Sequence, residues 1–260
     1  MKYTKKQIDN LVKSIFEGRF STTSELPEDL YFAIADYLKS GVYKGFGGGL
    51  EDFEFGTTDY DLLNELRTNI YQFSAAKVYT QTGAFEELVA SSDNFRDYYN
   101  KALELYNQYN IDWAKAEYVT AIGQAQIGKQ WVGIEENKEQ FPMLRYVAVM
   151  DANTSEICAP LNGITLPVDD PLWNNYTPLN HFNCRCILEQ VSKYDNDRKT
   201  SESKVEKVTK ELNETVNDAF KMNPGKDGYI FSPEHPYFEV AKGDKGWAKR
   251  NFDLPIPEND

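Results

Sequence analysis

The chain has 260 residues, enough for one large domain or two ordinary ones, and its 41% hydrophobic and 14% aromatic content excludes a disordered polymer. Its 28 basic and 41 acidic residues leave a net charge of −13. That argues against strong sequence-independent DNA binding, which needs lysine and arginine to neutralise phosphates.

In chain order, the basic start "MKYTKKQIDNLVKSIF" places Ile8, Leu11, Val12 and Ile15 on one helical face. No apolar core or cleavage site follows it, and no stretch reaches the roughly 18 apolar residues of a membrane span. A protein made in a cytoplasm, with no membrane partner, is expected. "PEDLYFAIADYLKSG" predicts a helix that starts at Pro27 and stops at Gly41. The glycines of residues 45–56 read as a connection, because no Gly-Lys-Ser/Thr or dinucleotide fingerprint accompanies them. Leu62, Leu63, Leu66, Ile70, Phe73, Ala76 and Val78 predict a helix from Thr58 to about Thr80. Further helices are expected over 92–109 and 113–132, their aromatic stripes reading as core. Residues 51–100 hold ten acids and three bases. We read them as solvated helix faces, with an acidic surface for a basic partner as the alternative.

The texture changes at residue 141. Tyr146 to Met150 predicts a strand, residues 151–182 are rich in turn formers, and "CILEQV" predicts a second strand. A helix is expected over 197–220, then loops, in which His235 between prolines fixes the chain path. The last residues, "LPIPEND", are expected to fray. The fold class that results is α+β. A mostly helical region, 1–140, precedes a small loop-rich α+β module, 141–260, that carries a Cys/His cluster.

That cluster holds all three cysteines and one of the two histidines, spaced Cys158-x22-His181-x2-Cys184-x-Cys186. A Cys3His set is a common composition for a closed structural zinc site. If 184–186 is extended, Cys184 and Cys186 share a face. Residues 151–185 have few consecutive apolar residues, so a metal ion is expected to supply much of their order. Two other readings stay open. The cysteines serve as small buried hydrophobes beside a satisfied histidine, or a cysteine and His181 form a nucleophile and base, with Asp151 or Asn180 orienting.

The stretch from Arg145 to Val191 resembles the phage Mu F-like family of minor head and head-morphogenesis proteins. Asp151, Thr154, Cys158, Asn162-Gly163, Pro178, Leu179, His181, Cys184, Arg185 and Cys186 follow the family pattern in order. Ser155 stands where some members carry a second cysteine, and Asn180 moves the histidine one step further from Pro-Leu. The resemblance implies a non-enzymatic protein of capsid assembly and DNA packaging or delivery. It implies portal or other head proteins as partners, and a place in the capsid interior near the portal, reached from the host cytoplasm. It makes Cys158, His181, Cys184 and Cys186 the metal set. Asp151, Thr154, Asn162 and Gly163 become turn residues supporting it, and Arg185 an outward-facing residue. An enzyme using the same cluster, a cysteine hydrolase or metal-dependent nuclease, is the alternative.

Overall fold

A computed structural model describes residues 3–195 and 199–253; the "LPIPEND" tail and residues 196–198 lie outside the described residues. The first helix, α1 (Lys5–Phe16), is opened by Thr4, whose side chain accepts from the Gln7 backbone while Gln7 reaches back to Thr4. This reciprocal cap satisfies two donors that a helix start leaves free. Ile8, Leu11, Val12 and Ile15 are buried as expected.

Helix α2 (Glu28–Phe46) passes through Gly41 and stops at Gly47, which takes φ +96°. Gly41 is therefore no stop signal. A Cβ there would lie 3.0 Å from the Tyr118 ring, and one at Gly45 would lie 2.1 Å from the Ile122 carbonyl oxygen. Both glycines permit close helix approach, and only Gly47 needs the left-handed backbone that glycine tolerates.

Helix α3 (Thr58–Ala90) runs ten residues past the expected end. The polar run that hid its continuation is buried, with Thr82 donating to the carbonyl one turn back at 2.8 Å. Asn94 caps α4 (Phe95–Asn107) by accepting from Arg96 and Asp97, and a π-helical segment, Gln108–Trp113, joins it to α5 (Ala114–Asn137).

The β structure begins two residues after the change of texture. Strand β1 (Met143–Val147) lies between β2 (Thr165–Pro167) and β3 (Ile187–Val191), antiparallel to both. The register pairs Arg145 with Thr165 on one side and with Glu189 on the other. The expected strand over 146–150 is thus shifted towards the N-terminus. Val149 and Met150 are β formers, yet they are 42% and 59% exposed beyond the sheet. Strand β2 was hidden among turn formers. The remaining helices are α6 (Leu172–Asn175), α7 (Glu202–Thr215), α8 (Pro224–Asp227) and α9 (Lys245–Phe252). No helix among the described residues is long and apolar enough to cross a membrane.

The chain forms two compact units: residues 1–41, 67–118 and 233–260, and residues 42–66 and 119–232. The first is helical. Its core includes Ile34, Leu38, Phe73, Phe85, Tyr98 and Phe238. The second holds the three-stranded sheet. Leu144, Tyr146 and Leu188 from the sheet pack with Trp131, Ile134, Leu212 and Phe220.

Residues 151–185 contribute to a shared core: Leu161, Ile164, Leu166, Val168, Leu172, Trp173 and Tyr176 are all buried in the cluster around the sheet, with side chains from outside the segment. Each large apolar side chain contributes about 1.5–3 kcal/mol when fully buried. Packing against the sheet therefore also supports the segment's order. Its apolar residues are spaced singly between turns, which hides them from a search for runs.

Candidate metal centre

The site lies in the second unit, where β1, the turn-rich segment and the approach to β3 converge. Three local motifs shape it. In the first, Asp151 Oδ1 accepts from Asn153 N at 2.9 Å, and Thr154 Oγ1 accepts from Asp151 N at 2.7 Å. These side chains form the turn after β1, as short polar residues do. In the second, Asn162 Oδ1 accepts from Ala148 N at 3.0 Å, and Gly163, at φ +77°, donates to Tyr146 O at 2.8 Å. This turn returns the chain to β1 and sets Cys158 beneath it. The third is the reversal at Phe182–Asn183, closed by Cys184 N donating to His181 O at 3.3 Å, with Asn183 at φ +61°. Asparagine is among the few residues other than glycine that tolerate this region.

Cys184, Cys186 and Leu188 then alternate as buried residues with exposed Arg185, Ile187 and Glu189. The two cysteines share a face, as their period-2 spacing predicts.

The ligand atoms of Cys158, His181 and Cys184 all lie within 4.8 Å of one another. Cys158 Sγ is 3.2 Å from His181 Nε2 and 3.6 Å from Cys184 Sγ. Cys186, also buried, stands outside this trio. A tetrahedral ion with sulfur at about 2.3 Å and nitrogen at about 2.0 Å sets ligand–ligand edges of about 3.5–3.8 Å. The observed separations fit those edges to within a few tenths of an ångström. A space of about 20 Å³ adjoins Cys158, His181 and Cys186, room for a single ion or water.

The histidine is oriented for ligation. Its Nδ1 lies 2.8 Å from the Phe182 carbonyl oxygen. That carbonyl can only accept, so in the neutral ring Nδ1 carries the proton and Nε2 presents its lone pair to the cysteines. Ser155 Oγ approaches Nε2 at 2.8 Å. Asn180, the departure from the family spacing, is fully buried and donates to the Tyr146 hydroxyl at 3.0 Å. The extra residue is thus taken up beneath the site, and His181 still reaches the cysteines.

Hydrogen bonds from Cys184, then Cys186, hold the Cys158 thiol far below the ordinary thiol range. Contact with Cys158 and Cys184 pushes the Cys186 thiol far up. His181 is pushed up to about 10, first by Cys158 and then by Cys184. A metal ion bound there would take the place of the thiol and imidazole protons. Arg185 forms a two-pronged pair with Asp151 at 2.7 and 2.8 Å, and this holds the exposed Asp151 carboxyl down at about 2. The expected outward arginine therefore ties the first turn to the Cys-x-Cys segment.

Sequence reasoning missed Tyr146. Its hydroxyl accepts from Asn180 and lies 3.8 Å from Cys158 Sγ, and burial raises its pKa strongly. The available signal was period-2 alternation, which places Tyr146 beside Leu144 on the inner face of β1. His235 lies in the first unit and takes no part. Its Nδ1 accepts from Tyr237 N at 3.2 Å, fixing the loop as expected.

Residues 92–189 match the family model described as phage Mu protein F like protein. Over this segment the chain is similar to the phage Mu F-like family. Over 59 residues it is 41% identical to the Mu-like prophage FluMu F protein of Haemophilus influenzae, covering 23% of this chain and 14% of that relative. Over 52 residues it is 38% identical to protein F of Escherichia phage Mu, covering 20% of this chain and 12% of that one. The chain thus spans about a seventh or less of the length of these Mu F-like relatives. No solved structure matches it.

Proposed function

We propose that the chain acts as a phage or prophage minor head protein in capsid assembly and DNA packaging or delivery. It works by docking on portal or other head proteins inside the capsid, with Cys158, His181, Cys184 and Cys186 holding a structural zinc ion. The observation that carries the reading is the buried Cys/His group inside the matched segment, with Nε2 turned towards the thiols. The phage Mu relative carries a name that proposes a capsid assembly role. A closed site with four protein ligands leaves no open position for a substrate, which suits a clasp better than a catalyst. The clasp would tie the segment after β1 to the approach to β3 and so stiffen a surface that meets a partner.

Zinc content of the purified protein tests the clasp: about one equivalent is expected, with a loss of thermal stability on chelation. Less than about half an equivalent, with no loss on chelation, overturns it. Co-purification with portal protein from induced cells tests the docking, and recovery of no head protein counts against it.

A second reading rests on the 3.2 Å approach of Cys158 Sγ to His181 Nε2, within reach for a nucleophile and its base. Single substitutions at the four residues separate the two. Equal loosening of the module by all four supports the clasp. A variant that keeps its fold and its zinc but loses a hydrolytic activity supports the enzyme.

A further inference from the structure

Between α4 and α5 the chain runs through six residues of π-helix, Gln108–Trp113. Such a segment admits an extra residue per turn, takes carbonyls out of the regular ladder, and often accompanies a functional site. Two buried side chains hold this one in the first unit. Lys77 Nζ, fully buried, donates to Tyr109 O at 2.7 Å and pairs with Glu117, while Asn110 Nδ2 donates to Tyr106 O at 3.1 Å. An irregularity secured by a buried ion pair calls for a use.

Its local consequence is the environment of Asn110. The residue is 6% exposed, its Nδ2 is engaged, and its Oδ1 is buried without a hydrogen-bond partner. Asn110 also lines a cavity of about 420 Å³, within the range of about 300–1,000 Å³ usual for small-ligand sites. Tyr3, Tyr37 and Tyr106 supply aromatic surface to the same wall. Lys5 and Lys115 line it as well; both are exposed, and neither makes an ion pair among the described residues.

These groups specify a ligand. The buried atom of Asn110 left without a partner is its acceptor Oδ1, so the buried end of the ligand must donate an N–H or O–H to it. Tyrosine rings favour a flat, polarisable ring system, on which every nucleobase stacks alike. Two unpaired ammonium groups call for an anion of phosphate type. We propose that this cavity binds a nucleoside monophosphate unit, its base amine reaching Asn110 Oδ1 and its phosphate reaching Lys5 and Lys115. The proposal is independent of the zinc clasp and of the docking role. A free nucleotide and the 5′-phosphorylated end of a DNA strand present the same chemistry.

Calorimetric titration of the full chain tests it. AMP is expected to bind saturably at one site. Adenosine, which lacks the phosphate, and purine riboside 5′-monophosphate, which lacks the amine, are each expected to bind about tenfold more weakly, the worth of one lost charge-assisted or buried hydrogen bond. The double variant Lys5→Ala/Lys115→Ala alters exposed side chains only. It should keep the wild-type unfolding midpoint, lose about tenfold in AMP affinity, and bind adenosine unchanged. A 5′-phosphorylated oligonucleotide distinguishes the sources: tighter binding than AMP assigns the site to a strand end, and weaker binding assigns it to the free nucleotide. Absence of saturable binding for AMP and oligonucleotide alike overturns the proposal. So does AMP binding that neither the missing amine nor the lysine substitutions weaken, which marks a site elsewhere.

Discussion

Each compact unit buries one cluster of ionisable groups, and the two are built in opposite ways. In the helical unit, Lys77 and Glu117 are almost wholly out of water, and their charges meet each other, the Tyr109 carbonyl and the Tyr237 hydroxyl. Burial pushes the lysine down and the glutamate up; their mutual attraction opposes both shifts, and the Tyr237 hydroxyl helps to hold the glutamate down. In the sheet unit, Cys158, Cys184 and the half-buried His181 imidazole are held at ligand spacing with Cys186 nearby, and the shifts of Cys158, Cys186 and His181 come chiefly from neighbouring members of the group rather than from burial. The first arrangement supplies its own counter-charge. The second gathers side chains that become metal ligands once deprotonated.

The largest expected effect lies in the helical unit. Lys77→Met strands a buried carboxylate and should cost about 3–5 kcal/mol in denaturant unfolding. The double variant Lys77→Met/Glu117→Met should recover most of that loss. A double variant as unstable as the single would mean that packing, rather than the unpaired charge, carries the cost.

In the sheet unit, Cys184→Ser should leave a folded protein, because Leu161, Leu166 and Trp173 hold the segment without it. Its zinc affinity, measured by competition with a chromophoric chelator, should fall by more than the ~10–100-fold that follows loss of a supporting partner. Tyr146→Phe removes the hydroxyl that receives Asn180 and touches Cys158. It should fall within that ~10–100-fold range while zinc stoichiometry stays at about one.

A third contrast concerns pH. Burial, and then Lys77, lowers His235 to about 4. Between roughly pH 4 and 6.5 the unfolded chain therefore binds more protons at this residue than the folded one. Its contribution to stability is complete above about 6.5 and falls away as the pH drops towards 4, by on the order of 2–3 kcal/mol in total. His235→Gln should flatten that slope in urea midpoints taken from pH 4 to 7, and an unchanged slope would assign it to another group. The smallest effect belongs to Arg185→Ala. Its pair with Asp151 is exposed, so zinc stoichiometry and the unfolding midpoint should stay near wild type.

Much of this was legible in the sequence. Helical spacing located the buried faces of α1 and α3 down to Ile8, Leu66 and Phe73, because a 3.6-residue period survives wherever one face meets a core. The Cys/His group was legible because scarce residue types crowded into 29 positions. Three features were not. Gly41 reads as a helix stop by composition and serves as a close-packing position, since only the neighbouring Tyr118 ring decides between the two. Strand β2 has three residues, too few to show alternation. Lys77, Asn110 and Glu117 lie up to 40 positions apart, and no periodicity links a buried lysine to the helix turn it holds.

By itself, the sequence determined the α+β class, the helical faces, the four candidate ligands and the family resemblance, all of which rest on local spacing or on residue identity. The tertiary structure alone decided which nitrogen of His181 faces the cysteines, how Asn180 is accommodated beneath them, and that the turn-rich segment buries its apolar side chains in the core around the sheet. Those outcomes depend on which groups the fold brings within a few ångströms, and contacts between distant residues leave no period in a chain.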